Sequence, residues 1–506
     1  MFKNLTEYFS ARAISSPNSI AVCDLESCIT FSELVSYAKK IAHMIHSHTT
    51  KNNQPIVVHM KKSVVSYTVL IGVLYSGNYY VPVDIKMPDE RLKKIIARIG
   101  NPLIISDGTY PLSEELVNLD DDTIIIDRLE HIDDNSIEGG ELGYKSIIDV
   151  DPAYMLFTSG STGMPKGVII SHRAVIDYIE WQCSTLLFDS ETVLASQAPF
   201  YFDASVPDIY SVGCVGATLY LIPDTFFLQP GKLVEYLNDK GVNTIIWVPS
   251  ALIRLADSGI FDKAKIEELR LAMFCGEVMP CKQLNKWISK HPDAVYVNLY
   301  GPTEATYACS YYIIDKDFND DESLPLGKAC ENTQLLVIDQ DGKEIREGKG
   351  ELCIRGTCLA LGYYSDIEKT SDSFVDYPNA IGYMEKMYKT GDIVEKDSNG
   401  NLMYIGRKDN QIKHRGYRIE LGEIESAGYS IEFIRRGIAL YDDFNKKIIY
   451  CCEVAEDHSE KDVYASMKPK IPMYMMPDRI VIMEELPLNA NGKIDRVRIK
   501  HYLIEN

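Results

Sequence analysis

The stretch Tyr154 to Ser171, YMLFTSGSTGMPKGVIIS, admits few structures. An apolar run, Tyr154 to Phe157, reads as a buried strand. It feeds Thr158, Ser159, Gly160, Ser161, Thr162 and Gly163, which are all small, hydroxylated or glycine. Pro165, Lys166 and Gly167 follow, then a second apolar run, Val168 to Ile170. Glycine lets a backbone turn tightly and approach a ligand, so N–H groups and hydroxyls can converge on anionic oxygens. Lys166 adds a cation. The pattern is not G-x-x-x-x-G-K-[ST] opening a helix, because Pro165 precedes the lysine and Gly167 follows it. Taken alone, the stretch leaves two readings open: a phosphate cradle, or a hydroxyl-rich hairpin loop without a ligand.

A chain of 506 residues is too long for one core, which implies two or three domains. Hydrophobic content of 46% and charged content of 25% exclude disordered and collagen-like classes. A net charge of -21 argues against nucleic acid or an anionic membrane as partner. It also requires that any polyphosphate site be locally positive against an acidic background. The acidic stretch Asp120 to Glu141 reads as a solvated face. No run approaches the ~18 apolar residues of a membrane span, and the amino terminus lacks a secretory signal pattern. No membrane insertion and a cytoplasmic location are therefore expected. The 12 cysteines are scattered without C-x-x-C or cysteine/histidine ligand spacing, so reduced thiols are expected rather than disulfides or zinc.

Apolar spacing from Leu5 to His48 suggests helices, broken near Ser15–Asn18 and Asp24–Thr30. Strand-like runs then alternate with helical stretches: Pro55 to His59, Tyr79 to Asp84, Pro102 to Ser106, Thr218 to Ile222, Thr244 to Val248, Leu269 to Cys275 and Ala294 to Leu299. That alternation predicts an α/β fold with mainly parallel sheets. From about Gln334 the texture shifts to short glycine-punctuated strands, an antiparallel β-rich subdomain spanning about 334–408. Past it comes a smaller α+β unit. The boundaries expected are a large domain over 1–408 and a small one over 409–506.

Other motifs accompany the loop. Tyr300-Gly301-Pro302-Thr303-Glu304 ends a strand with a hydroxyl and a carboxylate, where ligands of open α/β sheets lie. Glu304 could hold Mg²⁺, which commonly takes one or two carboxylates plus substrate phosphates. Asp392, in Tyr388-Lys389-Thr390-Gly391-Asp392, suits a ribose diol because a carboxylate accepts two hydroxyl hydrogen bonds. Gly406-Arg407-Lys408-Asp409 and a turn-rich loop carrying Lys493 complete the set. In this order the motifs resemble the adenylate-forming superfamily: acyl- and aryl-CoA ligases, luciferases and the amino-acid adenylation domains of nonribosomal peptide synthesis. The likeness runs from Leu74–Asp84 to Lys493.

The resemblance implies roles. Thr158, Ser159, Gly160, Ser161, Thr162, Gly163 and Lys166 would cradle the β- and γ-phosphates of ATP. Thr303 would touch the α-phosphate and Glu304 would hold Mg²⁺. Adenine would lie against Asn298, Leu299, Tyr300 and Gly301, beside Gly276, Glu277 and Val278. Asp392 and Arg407 would bind ribose, Asp409 would be the hinge between domains, and Lys493 would bridge the attacking carboxylate and the α-phosphate. A carboxylate is already ionised at neutral pH, so no general base is required. His172, just after the loop, is accordingly not expected to act as one.

Phe202-Asp203-Ala204-Ser205-Val206-Pro207-Asp208 is similar to the amino-acid-activating branch, where an aspartate at the position of Asp203 pairs with the substrate's α-ammonium. The implied side-chain pocket comprises Ala204, Pro207, Trp247, Met273, Cys275, Leu299, Tyr307 and Ala308. With Trp247 and Tyr307 both pointing inward it would admit only a small side chain. Phe274-Cys275-Gly276-Glu277-Val278 is similar to D-alanine:carrier-protein ligases, which makes D-alanine the leading single substrate; glycine or a small L-amino acid stays open. No phosphopantetheine attachment site follows Lys493, so the acceptor thiol is expected on a separate carrier protein, reaching past Gly416 once the small domain has rotated. A CoA ligase for a small carboxylic acid, and a non-catalytic nucleotide-binding regulator, remain as alternatives. The oligomeric state is open, with a monomer expected.

Overall fold

The structure, a computed structural model, describes residues 2–110, 123–132, 142–160, 164–396, 400–455, 458–487 and 494–504. Among these, two large sheets dominate. The nine-stranded one has at its centre the parallel strands Val295–Tyr300, Leu271–Phe274, Thr244–Trp247, Val193–Ser196, Thr218–Leu221 and Ile20–Cys23, in that spatial order. The seven-stranded one runs Gly362–Tyr363, Lys166–Ser171, Pro152–Thr158, Tyr79–Pro82, Pro55–His59, Ile104–Ser106 and Thr123–Ile125. Its last five strands are parallel and its first three antiparallel. The fold is therefore α/β.

These strands are short, near-continuous apolar runs because both faces are covered. The largest core lies between the sheets. It joins Ile246, Met273, Val297 and Leu299 of one to Val58, Tyr80, Tyr154 and Leu156 of the other. The helices Phe31–His48, Val64–Tyr75 and His172–Thr185 contribute to the same core. Helix starts follow local chemistry: Thr30 and Glu33 form a capping box on the first of these, and Ser171 accepts from Ala174 N–H on the third. A second core covers the opposite face of the nine-stranded sheet.

From Thr333 an antiparallel sheet follows, built on Thr333–Ile338, Gly348–Gly356, Lys386–Lys396 and Leu402–Arg407. Beyond it come a hairpin, Gln411–His414 with Tyr417–Glu420, and a three-stranded sheet with its own core around Ile424, Ala439 and Tyr450. No helix among the described residues is long and apolar enough to cross a membrane.

Two expectations need correction. Ile20–Cys23 is a strand inside a stretch expected to be helical, whereas Cys28–Thr30 is a strand within the expected break at Asp24–Thr30. Ile20–Cys23 is too short for a stable helix and pairs in parallel with Thr218–Leu221, some two hundred residues away. Cys23 and Cys28 are also not free thiols. They face each other across this antiparallel pair with Cα atoms 4.1 Å apart and form a disulfide. Asp24 turns the chain back by accepting from the N–H groups of Glu26 and Ser27. The other ten cysteines are free.

Candidate active site

Thr158 ends one strand of the seven-stranded sheet and Lys166 opens the next, opposite it, so the hydroxyl-rich loop is a hairpin tip. Gly160 is obligatory there, since a Cβ would lie 1.9 Å from the Met164 carbonyl oxygen. Ser161, Thr162 and Gly163 lie outside the described residues, as does Lys493.

Parallel strands deliver their carboxyl ends to one edge of the nine-stranded sheet, so Val248, Cys275 and Gly301 arrive together beside this hairpin. They line a cavity of about 110 Å³ whose wall also holds Thr158, Ser159, Gly276 and Thr303. Asp203, Ala204 and Tyr307 close it on another side. Asp203 is enclosed by protein yet open to the cavity. Its Oδ2 accepts from Thr303 Oγ1 at 2.5 Å. Burial pushes its carboxyl above the ordinary range, against the bond from Thr303 and the charge of Lys413. Tyr307 sits in a left-handed backbone (φ 71°), and its ring meets Tyr178 edge-on at 5.8 Å.

Not every expected wall residue reaches the cavity. Pro207, Met273, Leu299 and Ala308 are buried behind it. Trp247 is turned to the other face of its sheet, where its indole N–H donates to the Ala195 carbonyl (2.8 Å) and its ring packs on Phe227. Side chains alternate along a strand, so Val248, one residue later, takes the cavity side. Trp247→Phe is accordingly expected to leave substrate preference unchanged while costing about 1–2 kcal/mol of stability. Denaturant unfolding and a substrate panel on the same variant check both halves.

Around the expected nucleotide, Asn298 Nδ2 donates to the Pro325 carbonyl (2.9 Å) and Val278 is exposed. Tyr300 donates its hydroxyl proton to Asp392 Oδ2, and Arg407 Nη1 lies 2.8 Å from Asp392 Oδ1. The same guanidinium grips both carboxylate oxygens of Asp409, at 2.6 and 2.7 Å. One arginine thus ties the expected ribose carboxylate to the expected hinge. Although burial opposes charge on Asp409, Arg407 holds its carboxyl below the ordinary range.

Glu304 is wholly buried. Its Oε1 accepts from Tyr363 (2.7 Å) and its Oε2 from Arg418 Nη1 (2.5 Å). Burial would raise its pKa, yet the charges of Arg418 and Lys166 outweigh that and hold it down to about 2. A hard, ionised carboxylate oxygen at a strand end suits Mg²⁺. Among the described residues no cluster of three His, Cys, Asp or Glu could hold a metal ion, so phosphate oxygens would have to complete the shell.

Sequence reasoning named Gly416 for the path of the thiol but gave no role to the side chains around it on the second hairpin. Lys413, Arg415, Gly416, Tyr417 and Arg418 all line the cavity. Gly416 N–H donates to Glu277 Oε1 (2.8 Å), whose other oxygen accepts from Ser250 N–H (3.0 Å). The available signal was a run of cations directly after the expected hinge. His172 is buried, its Nδ1 accepting from Leu5 N–H at 3.2 Å, and burial lowers its pKa to about 3. It is a neutral structural acceptor.

Comparison with known proteins places the chain in a family. The family model described as AMP-binding enzyme matches residues 9–364. A D-alanine–D-alanyl carrier protein ligase of Bacillus licheniformis is 32% identical over 98% of this chain and 99% of its own length. A mycosubtilin synthase of Bacillus subtilis is 31% identical over 98% of this chain, which spans only 19% of that protein. A solved structure of a holo NRPS protein containing adenylation and PCP domains, bound to a vinylsulfonamide inhibitor, superposes with a TM-score of 0.85. It is 26% identical and covers 99% of this chain and 84% of its own. With more than half its length matched and a full-length relative above 30% identity, this chain belongs to the family of AMP-binding enzymes.

Proposed function

We propose that the protein activates a small amino acid with ATP, forming its aminoacyl adenylate and pyrophosphate, and then passes the acyl group to the phosphopantetheine thiol of a separate carrier protein. D-alanine is the leading single substrate. Family membership makes the chain an AMP-forming ligase. The observation that carries the finer reading is Asp203: a carboxylate in the cavity wall, hydrogen-bonded to Thr303 at the edge of a phosphate-type loop. An ammonium entering so enclosed a site needs such a partner.

In the first step the substrate carboxylate oxygen attacks the α-phosphorus and the bond to the β-phosphate oxygen breaks, with no proton to move. The chain's part is positioning and charge neutralisation. Asp203 would orient the amine, and Ser159, Lys166 and Thr158 would hold phosphate oxygens. Thr158 Oγ1 is a buried hydroxyl with no hydrogen-bond partner among the described residues, which fits a ligand-facing donor. Glu304 would hold Mg²⁺, which supplies positive charge to the phosphates. Asp392, kept in place by Arg407 and Tyr300, would take the ribose, and Lys493 would bridge carboxylate and phosphate. In the second step the thiol sulfur attacks the carbonyl carbon, the bond to the phosphate oxygen breaks, and AMP leaves. Rotation of the residues from 409 onward about Asp409 would exchange Lys493 for the hairpin bearing Gly416.

A cavity of this size, with Tyr307 fixed across it, favours a small side chain, and the full-length relative named for D-alanine points the same way. ATP–pyrophosphate exchange with glycine, both alanine enantiomers, serine, valine and proline tests the reading. D-alanine should drive exchange most strongly and propionate not at all. Exchange with no amino acid, or equal exchange with propionate, would sink it and favour a CoA ligase or a non-catalytic regulator.

A further inference from the structure

The second hairpin occupies the groups that the proposed function gives to ATP. Arg418 Nη1 sits on Glu304 Oε2, the carboxylate oxygen that Tyr363 leaves free. Ser159 Oγ is engaged on both sides by the hairpin backbone, donating to the Arg418 carbonyl (3.0 Å) and accepting from Glu420 N–H (3.1 Å). Lys166 Nζ lies 3.9 Å from Glu420 Oε1. The contacts on Glu304 Oε2 and Ser159 Oγ compete directly with a cation and a phosphate for those atoms, and Glu420 offers Lys166 a rival anion.

A carboxylate removed from water requires a countercharge in every state of the protein. At Glu304 that countercharge is here a guanidinium from beyond the hinge, on a side chain that also hydrogen-bonds Tyr388. Its Nε–H is buried and has no partner among the described residues, although Arg418 lines the cavity. An unpaired buried donor is costly, so a ligand oxygen there would be favoured.

We propose that Arg418 is the positioning residue of the acyl-transfer step: its guanidinium takes over Glu304 after pyrophosphate has left, latches the hairpin in the cavity, and leaves its Nε–H as a donor to the adenylate phosphate. The proposal rests on the function assigned above. It makes the two half-reactions mutually exclusive by competition for one buried oxygen. The guanidinium and the cation cannot share Glu304 Oε2, so magnesium with pyrophosphate should undock the hairpin.

Hydrogen exchange at two reporter amides reads the latch without any turnover, because Gly416 N–H and Glu420 N–H cross to Glu277 and Ser159. In the wild-type protein both should be protected, and adding magnesium pyrophosphate should speed their exchange. In Arg418→Ala they should exchange about tenfold faster or more with no ligand present, and Arg418→Lys should recover part of the protection. With the thiol of pantetheine as acceptor, the loss of acyl transfer in Arg418→Ala should exceed the loss of pyrophosphate exchange by about tenfold. Unchanged amide protection in Arg418→Ala, indifference of the wild type to magnesium pyrophosphate, or equal losses in both half-reactions would overturn the assignment. Failure of the underlying reading looks different: wild-type protein would then show no amino-acid-dependent exchange, whatever its amides do.

Discussion

Replacing Asp203 by alanine is expected to lower kcat/KM for the amino acid in pyrophosphate exchange by roughly 10²- to 10³-fold, the usual effect of leaving a buried charge without its partner. The loss should fall on the amine. A deaminated acid binds without an ammonium, so wild type and Asp203→Ala should treat it alike. Asp203→Asn keeps the shape of the wall and the contact with Thr303 Oγ1, yet removes the charge, and should lose nearly as much as the alanine variant. A pH dependence follows with a definite sign. Burial raises the Asp203 pKa, so protonation sets in at a higher pH than for an exposed aspartate. Only the ionised form pairs with an ammonium, so the KM for the amino acid should rise as pH falls, beginning at a higher pH than an exposed aspartate would set. In Asp203→Asn that rise should disappear. Retention of wild-type exchange by either variant would detach Asp203 from substrate recognition.

Legibility in the sequence was set by how local each determinant is. The strand, loop and strand around Gly160 could be read because composition and apolar runs over eighteen residues decide it. The alternation of strands and helices gave the α/β class for the same reason. What failed was long-range. Ile20–Cys23 is a strand because Thr218–Leu221 lies beside it, and nothing near Ile20 announces that neighbour. Trp247 illustrates a second limit. A strand of four residues carries too little pattern to fix its register, and a shift of one residue exchanges cavity side for core side. Motif order placed Glu304 at a strand end, but not the guanidinium that meets it from 114 positions later. Contacts between elements so far apart in the sequence leave no periodicity to detect.

The second large effect is expected at Gly416, where bulk should separate the two half-reactions. Its backbone has φ 83°, in the left-handed region, and a Cβ there would stand 3.0 Å from Val248 Cγ1. The backbone penalty, about 1–2 kcal/mol for a residue with a side chain, weighs on the hairpin in any orientation. The clash with Val248 weighs only on the docked one. A leucine at this position would also project into the cavity that Gly416 lines, along the path proposed for the thiol. Gly416→Leu should therefore keep pyrophosphate exchange within a few-fold of wild type and lose acyl transfer by roughly 10²-fold or more, equivalent to about 3 kcal/mol against the docked state. Gly416→Ala, carrying the same backbone penalty with little bulk, should fall between. Thermal unfolding of both variants separates a damaged hairpin from a blocked one. If exchange and transfer fall together in Gly416→Leu while the fold stays intact, the docked hairpin belongs to both half-reactions and the division of labour about Asp409 is lost.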